Sequence, residues 1–379
     1  MTTAQRIYLD NAATTPMADE VIEAMVPMMR EHYGNPSSTH AHGRKVRGII
    51  EEARGSIAKW LNCAPGEIFF TSGGTEADNM AIRCTINDLG IKHAITTRIE
   101  HHAVVHTLEE LAQEGLIKLS FVQLDEKGSV DMLHLAKLLA ENERSLVSLM
   151  EANNEIGNLI DLRAVGELCE KHDAIFHSDT VQTMGHYAHD LANLPIHFIT
   201  CAAHKFHGPK GVGFLYINHK VKIKPFIFGG SQERNMRGGT ENVYGIVGLA
   251  KALSIAYEEM QPHQTHIQSL KTYMIESLKA AIPNIAFNGD IDPEKSLYTV
   301  LNVSFPPSEM GEMLLFSLDI AGISVSGGSA CSSGSNVGSH VLSGIKSDPT
   351  RSAVRFSFSK YNTKEEIDIV VAKLKELIK

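Results

Sequence analysis

Between residues 67 and 217 the chain repeats one unit: a short apolar run, a polar or glycine-rich turn, then a segment with helical spacing. The runs lie near residues 68–70, 93–97, 117–122, 146–150, 174–176, 196–199 and 212–217. Each is too short for a buried helix, and near-continuous apolarity suits a strand covered on both faces. The alternation predicts an α/β fold: a mainly parallel sheet with helices on both sides. Such sheets place ligand contacts just past the carboxyl ends of their strands. The 379 residues, 43% hydrophobic, suffice for a large core and a second domain. A net charge of −9 argues against nucleic acid as a partner. No apolar run reaches membrane-spanning length, and the opening MTTAQRIYLD lacks a signal-peptide pattern, so no membrane contact and a cytoplasmic location are expected.

The turns carry the unusual residues. Thr71-Ser72-Gly73-Gly74-Thr75-Glu76 joins a strand to a helix. Backbone N–H groups and the helix dipole there attract an anion, or Ser72 or Thr75 caps the helix. The motif is neither a Walker A loop nor GxGxxG, so no nucleotide is indicated. His101 opens a helix and reads as a ring stacked on a cofactor or as a polar cap. Asn154 follows the 146–150 run. Asp179 ends another run, where a carboxylate needs a cation unless it caps a helix. Lys205 sits on a Gly/Pro-punctuated turn between two buried runs. Most lysines are solvated. One held between strands has a lowered pKa and becomes a nucleophile, fit for a Schiff base with an aldehyde cofactor.

Residues 226–240 are rich in glycine and arginine, which suits an anionic ligand or a subunit contact. The polar stretch Glu258-Glu259-Met260-Gln261-Pro262 marks a domain boundary, with the next helix starting near His266. The expected division is an N-terminal segment, 1–15, near the active site; a large domain, 16–258; and a small α+β domain, 259–379. In the last, a Gly/Ser-rich loop carries Cys331, which is either a reactive thiol or a small filler residue. The five cysteines are scattered and never in CxxC spacing, so neither a disulfide framework nor a zinc knuckle is expected. His102 and His106 share a helix face, but no third ligand stands near them in sequence, so no metal site is expected. Arg355, in a strand over 353–358, either grips a carboxylate with its planar fork or snorkels outward.

In order along nearly the whole chain, Tyr8-Leu9-Asp10-Asn11-Ala12-Ala13-Thr14-Thr15-Pro16, Thr71–Glu76, Asn153-Asn154-Glu155-Ile156-Gly157, His204-Lys205 with Gly208-Pro209-Lys210-Gly211, Arg237-Gly238-Gly239-Thr240 and Gly328-Ser329-Ala330-Cys331 resemble the motifs of cysteine desulfurases. These are pyridoxal-phosphate enzymes of the class V aminotransferase group, the NifS/IscS kind. The resemblance implies the fold type I of such transferases: a large domain with a mainly parallel seven-stranded sheet, a smaller α+β domain, and a homodimer. It implies conversion of L-cysteine to L-alanine, with the sulfur left on Cys331 as a persulfide for a sulfur acceptor or scaffold protein in iron–sulfur cluster assembly or thio-modification. By position, Lys205 holds pyridoxal 5'-phosphate and moves protons, Asp179 pairs with the ring nitrogen, and Gln182 contacts the phenolic oxygen. His101 stacks on the ring and takes part in acid–base steps. Gly74, Thr75 and His204 bind the phosphate, with Thr240 reaching in from the other subunit. Asn154 and Arg355 hold the substrate carboxylate, and Cys331 attacks the substrate sulfur.

The chain departs from the family in two places. Ala202 stands where members commonly have a serine whose hydroxyl contacts the phosphate, which implies weaker cofactor retention or compensation by a neighbour such as Cys201. The sequence also ends right after its last helix, without the longer tail that helps members dock a scaffold. Rivals on the same scaffold are a selenocysteine lyase and an aminotransferase, neither of which needs Cys331 on such a loop. Retention of both Lys205 and Cys331 opposes a binding protein without turnover.

Overall fold

A computed structural model describes residues 6–327 and 338–378. Twelve strands are found among these residues: β1 Ile7–Tyr8, β2 Ile68–Thr71, β3 His93–Thr96, β4 Lys118–Phe121, β5 Ser145–Ser148, β6 Ile175–Asp179, β7 Phe198–Ala202, β8 Gly213–Ile217, β9 Ala286–Asn288, β10 Val300–Phe305, β11 Ile323–Ser324 and β12 Ser352–Ser357. The main sheet has seven strands in the order β2-β8-β7-β6-β5-β3-β4. Only β8 is reversed, antiparallel to both β2 and β7; the other neighbours run parallel. The seven apolar runs are these strands.

Strand alternation explains why the runs had to be continuous. Phe70, Ile95, Val147, Phe176, Ile199 and Phe214 point to one buried layer. Phe69, Ala94, Leu146, Ile175, Phe198 and Leu215 point to the other. Side chains alternate along a strand, so a sheet covered by helices on both faces needs apolar residues at every position. Because β2, β3, β5, β6 and β7 are parallel, their carboxyl ends lie along one edge. The turns after them are thereby gathered.

The smaller unit is a three-stranded antiparallel sheet, β12-β10-β9, packed against the helices Met260–Ala281 and Lys364–Leu377. Ile7 and Leu9 join this second core, and β1 pairs in parallel with β11. The helix expected from His266 starts six residues earlier, at Met260. Pro262 lies in its first turn, where a missing N–H costs nothing, so the polar stretch is a helix start. The three-residue strand β9 has no alternation long enough to read.

The arginines of the 226–240 loop, expected to suit an anionic ligand or a subunit contact, make these contacts within their own chain. Arg234 donates to the Ile68 carbonyl at 2.8 Å and lies over the Phe69 ring. Arg237 pairs with Glu76 at 2.8 Å. Glu233, Arg234 and Asn235 are all left-handed, with φ of 43, 56 and 65°. Arg54, 2% exposed, fixes this turn by a two-point contact with Glu233 at 2.7 and 2.8 Å, and Glu233 also accepts the Phe70 N–H. Glu233→Gln would leave the buried guanidinium with the half-exposed Glu51, 3.2 Å from its Nε, as its remaining counter-charge. It is expected to lower unfolding free energy by about 2–3 kcal/mol, less than for a charge left wholly unpaired, measured by urea denaturation.

Candidate active site

The carboxyl-end edge of the main sheet, the N-terminal segment and β12 enclose a cavity of about 230 Å³. Gly74, Thr75, His101, Asn154, Asp179, Gln182, His204, Lys205 and Arg355 all line it. Thr240 does not; it is exposed and borders a separate groove with Glu233 and Arg237. Cys331 lies outside the described residues.

Each group is held by its element. Lys205 ends a short 3-10 turn after β7 and donates to the carbonyls of Ala12 at 2.5 Å and Ala13 at 2.9 Å. Gln182 donates to the same Ala12 carbonyl at 3.1 Å. The helix Gly74–Leu89 begins without a side-chain cap: Gly73 is the N-cap, with φ 149°. Neither Ser72 nor Thr75 caps it, so the capping alternative fails. The first-turn N–H groups and the positive end of the helix dipole lie at the cavity wall.

Arg355 is 1% exposed and shares its guanidinium between Asp10 Oδ1 at 2.8 Å and the Asn154 carbonyl at 2.9 Å. It does not snorkel. Its Nε has no partner among the described residues.

The cavity is acidic and its imidazoles are neutral. Burial, reinforced by the nearby Asp78, pushes Asp179 up to about 6. Burial raises Asp78 to about 7, and it raises Glu100, which precedes His101 but does not line the cavity, to about 8. Burial, and then the adjacent Lys205, lowers His204 to about 4, and burial also lowers His101. His101 is both a cap and a cavity residue: its Nδ1 accepts the Ala103 N–H at 3.2 Å. The proton of the neutral ring is therefore on Nε2.

Donor atoms of Asp78, His101 and Asp179 lie within 4.8 Å of one another, the spacing of a metal site. The His101 tautomer opposes that use, because its lone pair is already engaged with Ala103.

Sequence reasoning missed Asp10, Asp78, Glu100 and His177. Asp78 is one helical turn beyond Gly74, and His177 is two residues before Asp179 on the same strand face. That spacing was the available signal. Cys201 was offered as a substitute for the missing serine, but it packs in the core while Ala202 faces the cavity. Consecutive residues of a strand point to opposite faces, so Cys201 does not reach the site.

The sequence pattern of the family described as aminotransferase class-V matches residues 7–370. The chain is similar to the cysteine desulfurase IscS of Clostridium botulinum, strain Hall, with 42% identity over 99% of this chain and 95% of that one. It is also similar to the cysteine desulfurase NifS of Azotobacter vinelandii, with 39% identity over 98% of this chain and 92% of the relative. Among solved structures, one described as a NifS-like protein superposes with a TM-score of 0.90 and 39% identity, covering 98% of this chain and 99% of that one.

The Asp10–Arg355 pair invites a direct measurement. Asp10→Asn removes the counter-charge of a buried guanidinium, but the Asp10 side chain is 22% exposed, so solvent screens part of the loss. The expected cost is about 1–3 kcal/mol, less than for a fully buried pair, read from the urea unfolding midpoint of the variant.

Proposed function

Because the chain belongs to the class V aminotransferase family and is a cysteine desulfurase of the NifS/IscS kind, we propose that it uses pyridoxal 5'-phosphate to move the sulfur of L-cysteine onto Cys331. One observation carries this reading. The Lys205 amine, the Asp179 carboxylate and the uncapped start of the helix Gly74–Leu89 border one cavity. They match the aldehyde, ring nitrogen and phosphate of a single cofactor.

The residues fit that group. A Cβ at Gly74 would come within 2.8 Å of Val181 Cγ2, so the wall is tight enough to need glycine where a phosphate approaches. Asp179, raised by burial, is short of a cation, which a protonated ring nitrogen supplies. When bound, pyridoxal phosphate offers a carbonyl for the substrate amine and a ring that takes up the electron pair freed at the α-carbon.

The chain does the rest. Lys205 Nζ would hold the cofactor's carbonyl carbon and, when free, would take and return the α-proton. Asp179 Oδ1 accepts the Val181 N–H at 2.9 Å, leaving Oδ2 to hold the proton at the ring nitrogen. His101 offers its ring face and Nε2–H. Gln182 supports the phenolic oxygen, and Thr75 and His204 serve the phosphate. Arg355 Nε and the Asn154 side chain receive the substrate carboxylate. The Cys331 thiolate then attacks the substrate sulfur. An S–S bond forms, the C–S bond breaks with its electron pair passing to carbon, and that carbon takes a proton. The products are L-alanine and a persulfide on Cys331, ready for an acceptor protein or a small thiol.

Thr240, exposed and away from its own chain's cavity, suits a homodimer in which it serves the other site. No helix among the described residues is long and apolar enough to cross a membrane, and we place the enzyme in the cytoplasm.

Incubation with L-cysteine and dithiothreitol tests the reading. Wild type is expected to release sulfide and alanine together. Lys205→Ala should release neither, and sulfide should fall to background in Cys331→Ala. Normal sulfide release by Cys331→Ala would sink the persulfide route. The departure at Ala202 has its own consequence, since Cys201 does not compensate. Ala202→Ser is expected to hold cofactor about tenfold more tightly during dialysis, as one hydrogen bond to a charged group contributes roughly 1.5–3 kcal/mol at most. Equal retention would show that the hydroxyl has no phosphate to meet.

A further inference from the structure

The cavity holds a second carboxyl that the chemistry above leaves without a task. Asp78 projects from the helix Gly74–Leu89, is 1% exposed, and lines the same cavity as Asp179. The two carboxyl groups approach within 4.8 Å. Asp78 Oδ1 has no hydrogen-bond partner among the described residues.

The cations that share the cavity are engaged with other groups. Lys205 Nζ is directed to the carbonyls of Ala12 and Ala13, and Arg355 to Asp10 and Asn154. On β6, His177 Nε2 lies 3.4 Å from Asp78 Oδ1 and 3.2 Å from the Thr200 hydroxyl of β7, while its Nδ1 meets the Ser148 hydroxyl at 2.8 Å. Burial lowers His177 to about 4, so this ring is neutral. His101, at the start of its helix, is neutral too, and Glu100 beside it adds another buried acid. Two ionised carboxylates this close and away from water repel strongly. A coupled pair of this kind gives up its protons in two separate steps.

We propose that Asp78 is a further positioning residue of the cofactor site: it forms with Asp179 an acid–carboxylate pair that carries one negative charge, and so keeps that charge on Asp179, opposite the ring nitrogen. This rests on the reading that Asp179 faces that nitrogen. Thr200 hydrogen-bonds the Asp78 carboxyl, and the neutral His177 lies beside it. At higher pH Asp78 also ionises, and the second charge strengthens the hold on the ring-nitrogen proton.

Two measurements on the full chain test the pair. The first is thermal unfolding of cofactor-free wild type and Asp78→Asn, which keeps the shape and removes the acid. A carboxyl raised to about 7 in the folded state contributes its full stability below the ordinary carboxylate range and loses it as pH rises through about 7. The asparagine has no such loss. The variant should therefore gain on wild type as pH rises, by about 2–4 °C between pH of about 5 and about 9. An offset that is the same at every pH marks a merely structural residue and overturns the proposal.

The second is binding of pyridoxal phosphate followed by its absorbance. Over the same rise in pH, affinity for Asp78→Asn should fall about tenfold relative to wild type, the size of one lost charge interaction near the ring. Parallel curves would overturn the proposal. No absorbance change on adding cofactor to wild type would instead defeat the cofactor reading on which it rests, and the thermal measurement, made without cofactor, distinguishes the two failures.

Discussion

The buried guanidinium of Arg355 is where three parts of the chain meet. Arg355 belongs to β12 of the small sheet, Asp10 to the N-terminal segment, and Asn154 to the turn after β5. Taking an arginine out of water is costly unless its donors are met, and here no single element meets them. The segment from Asp10 must therefore lie between the two cores. Once it does, the rest of its contacts follow. Asn11 donates to the Ser357 carbonyl at 2.8 Å, and Ala12 and Ala13 turn their carbonyls to Lys205. Thr15 N–H reaches the His204 carbonyl at 2.9 Å. The position of the lysine amine is thus set by a segment nearly two hundred residues earlier, which is itself set by an arginine near the other end.

Around that amine the protein has assembled acids and neutral rings rather than a balanced set of charges. Asp78, Glu100 and Asp179 are all buried and all raised, whereas His101, His177 and His204 are lowered. The same cause, loss of water, moves the two sets in opposite directions, and both shifts favour uncharged forms. Such a site is electrostatically incomplete and favours a ligand that brings a positive group to its acidic wall. It favours an anion at the other wall, where the helix Gly74–Leu89 begins. Fixed groups of this kind need no rearrangement when charge develops.

The sheet was legible because its strands, the edge strand β4 apart, are buried on both faces, and that constraint leaves near-continuous apolar runs in the sequence. The site residues at strand ends were legible for a related reason: a polar residue directly after such a run has few structural uses. Partners reached only through the fold were not. Nothing near Asp78 in sequence announces His177 and Thr200, and nothing near Arg355 announces Asp10. His340, whose ring lies 4.3 Å from that of His102, comes from 238 residues further along. The start at Met260 was misread because polarity and a proline suit a linker and a first helical turn equally well. At Ala202 the alternation of β7 corrected an idea that the bare sequence allowed, since adjacency along a strand separates two side chains rather than joining them.

The glycine- and arginine-rich loop over 226–240 braces the start of the helix Gly74–Leu89. Glu76 lies in the first turn of the helix Gly74–Leu89, where a free carboxylate would repel any anion drawn to that end. It does not face the cavity. It accepts the Ser72 N–H at 2.9 Å and is gripped at two points by Arg237, at 2.8 and 3.1 Å. Although burial works against it, these contacts hold the Glu76 carboxyl below its ordinary value, so the group stays ionised and paired. The turn before Arg237 is left-handed over three residues, a conformation that costs of order 1 kcal/mol or more for each residue that is not glycine. Arg54 and Glu233 sustain that turn from inside the core, and Glu233 fastens it to β2 through the Phe70 N–H. Strain in the loop, a buried ion pair beneath it and a neutralised acid at the helix start are therefore one arrangement, whose result is a helix N-terminus left clear for an anion.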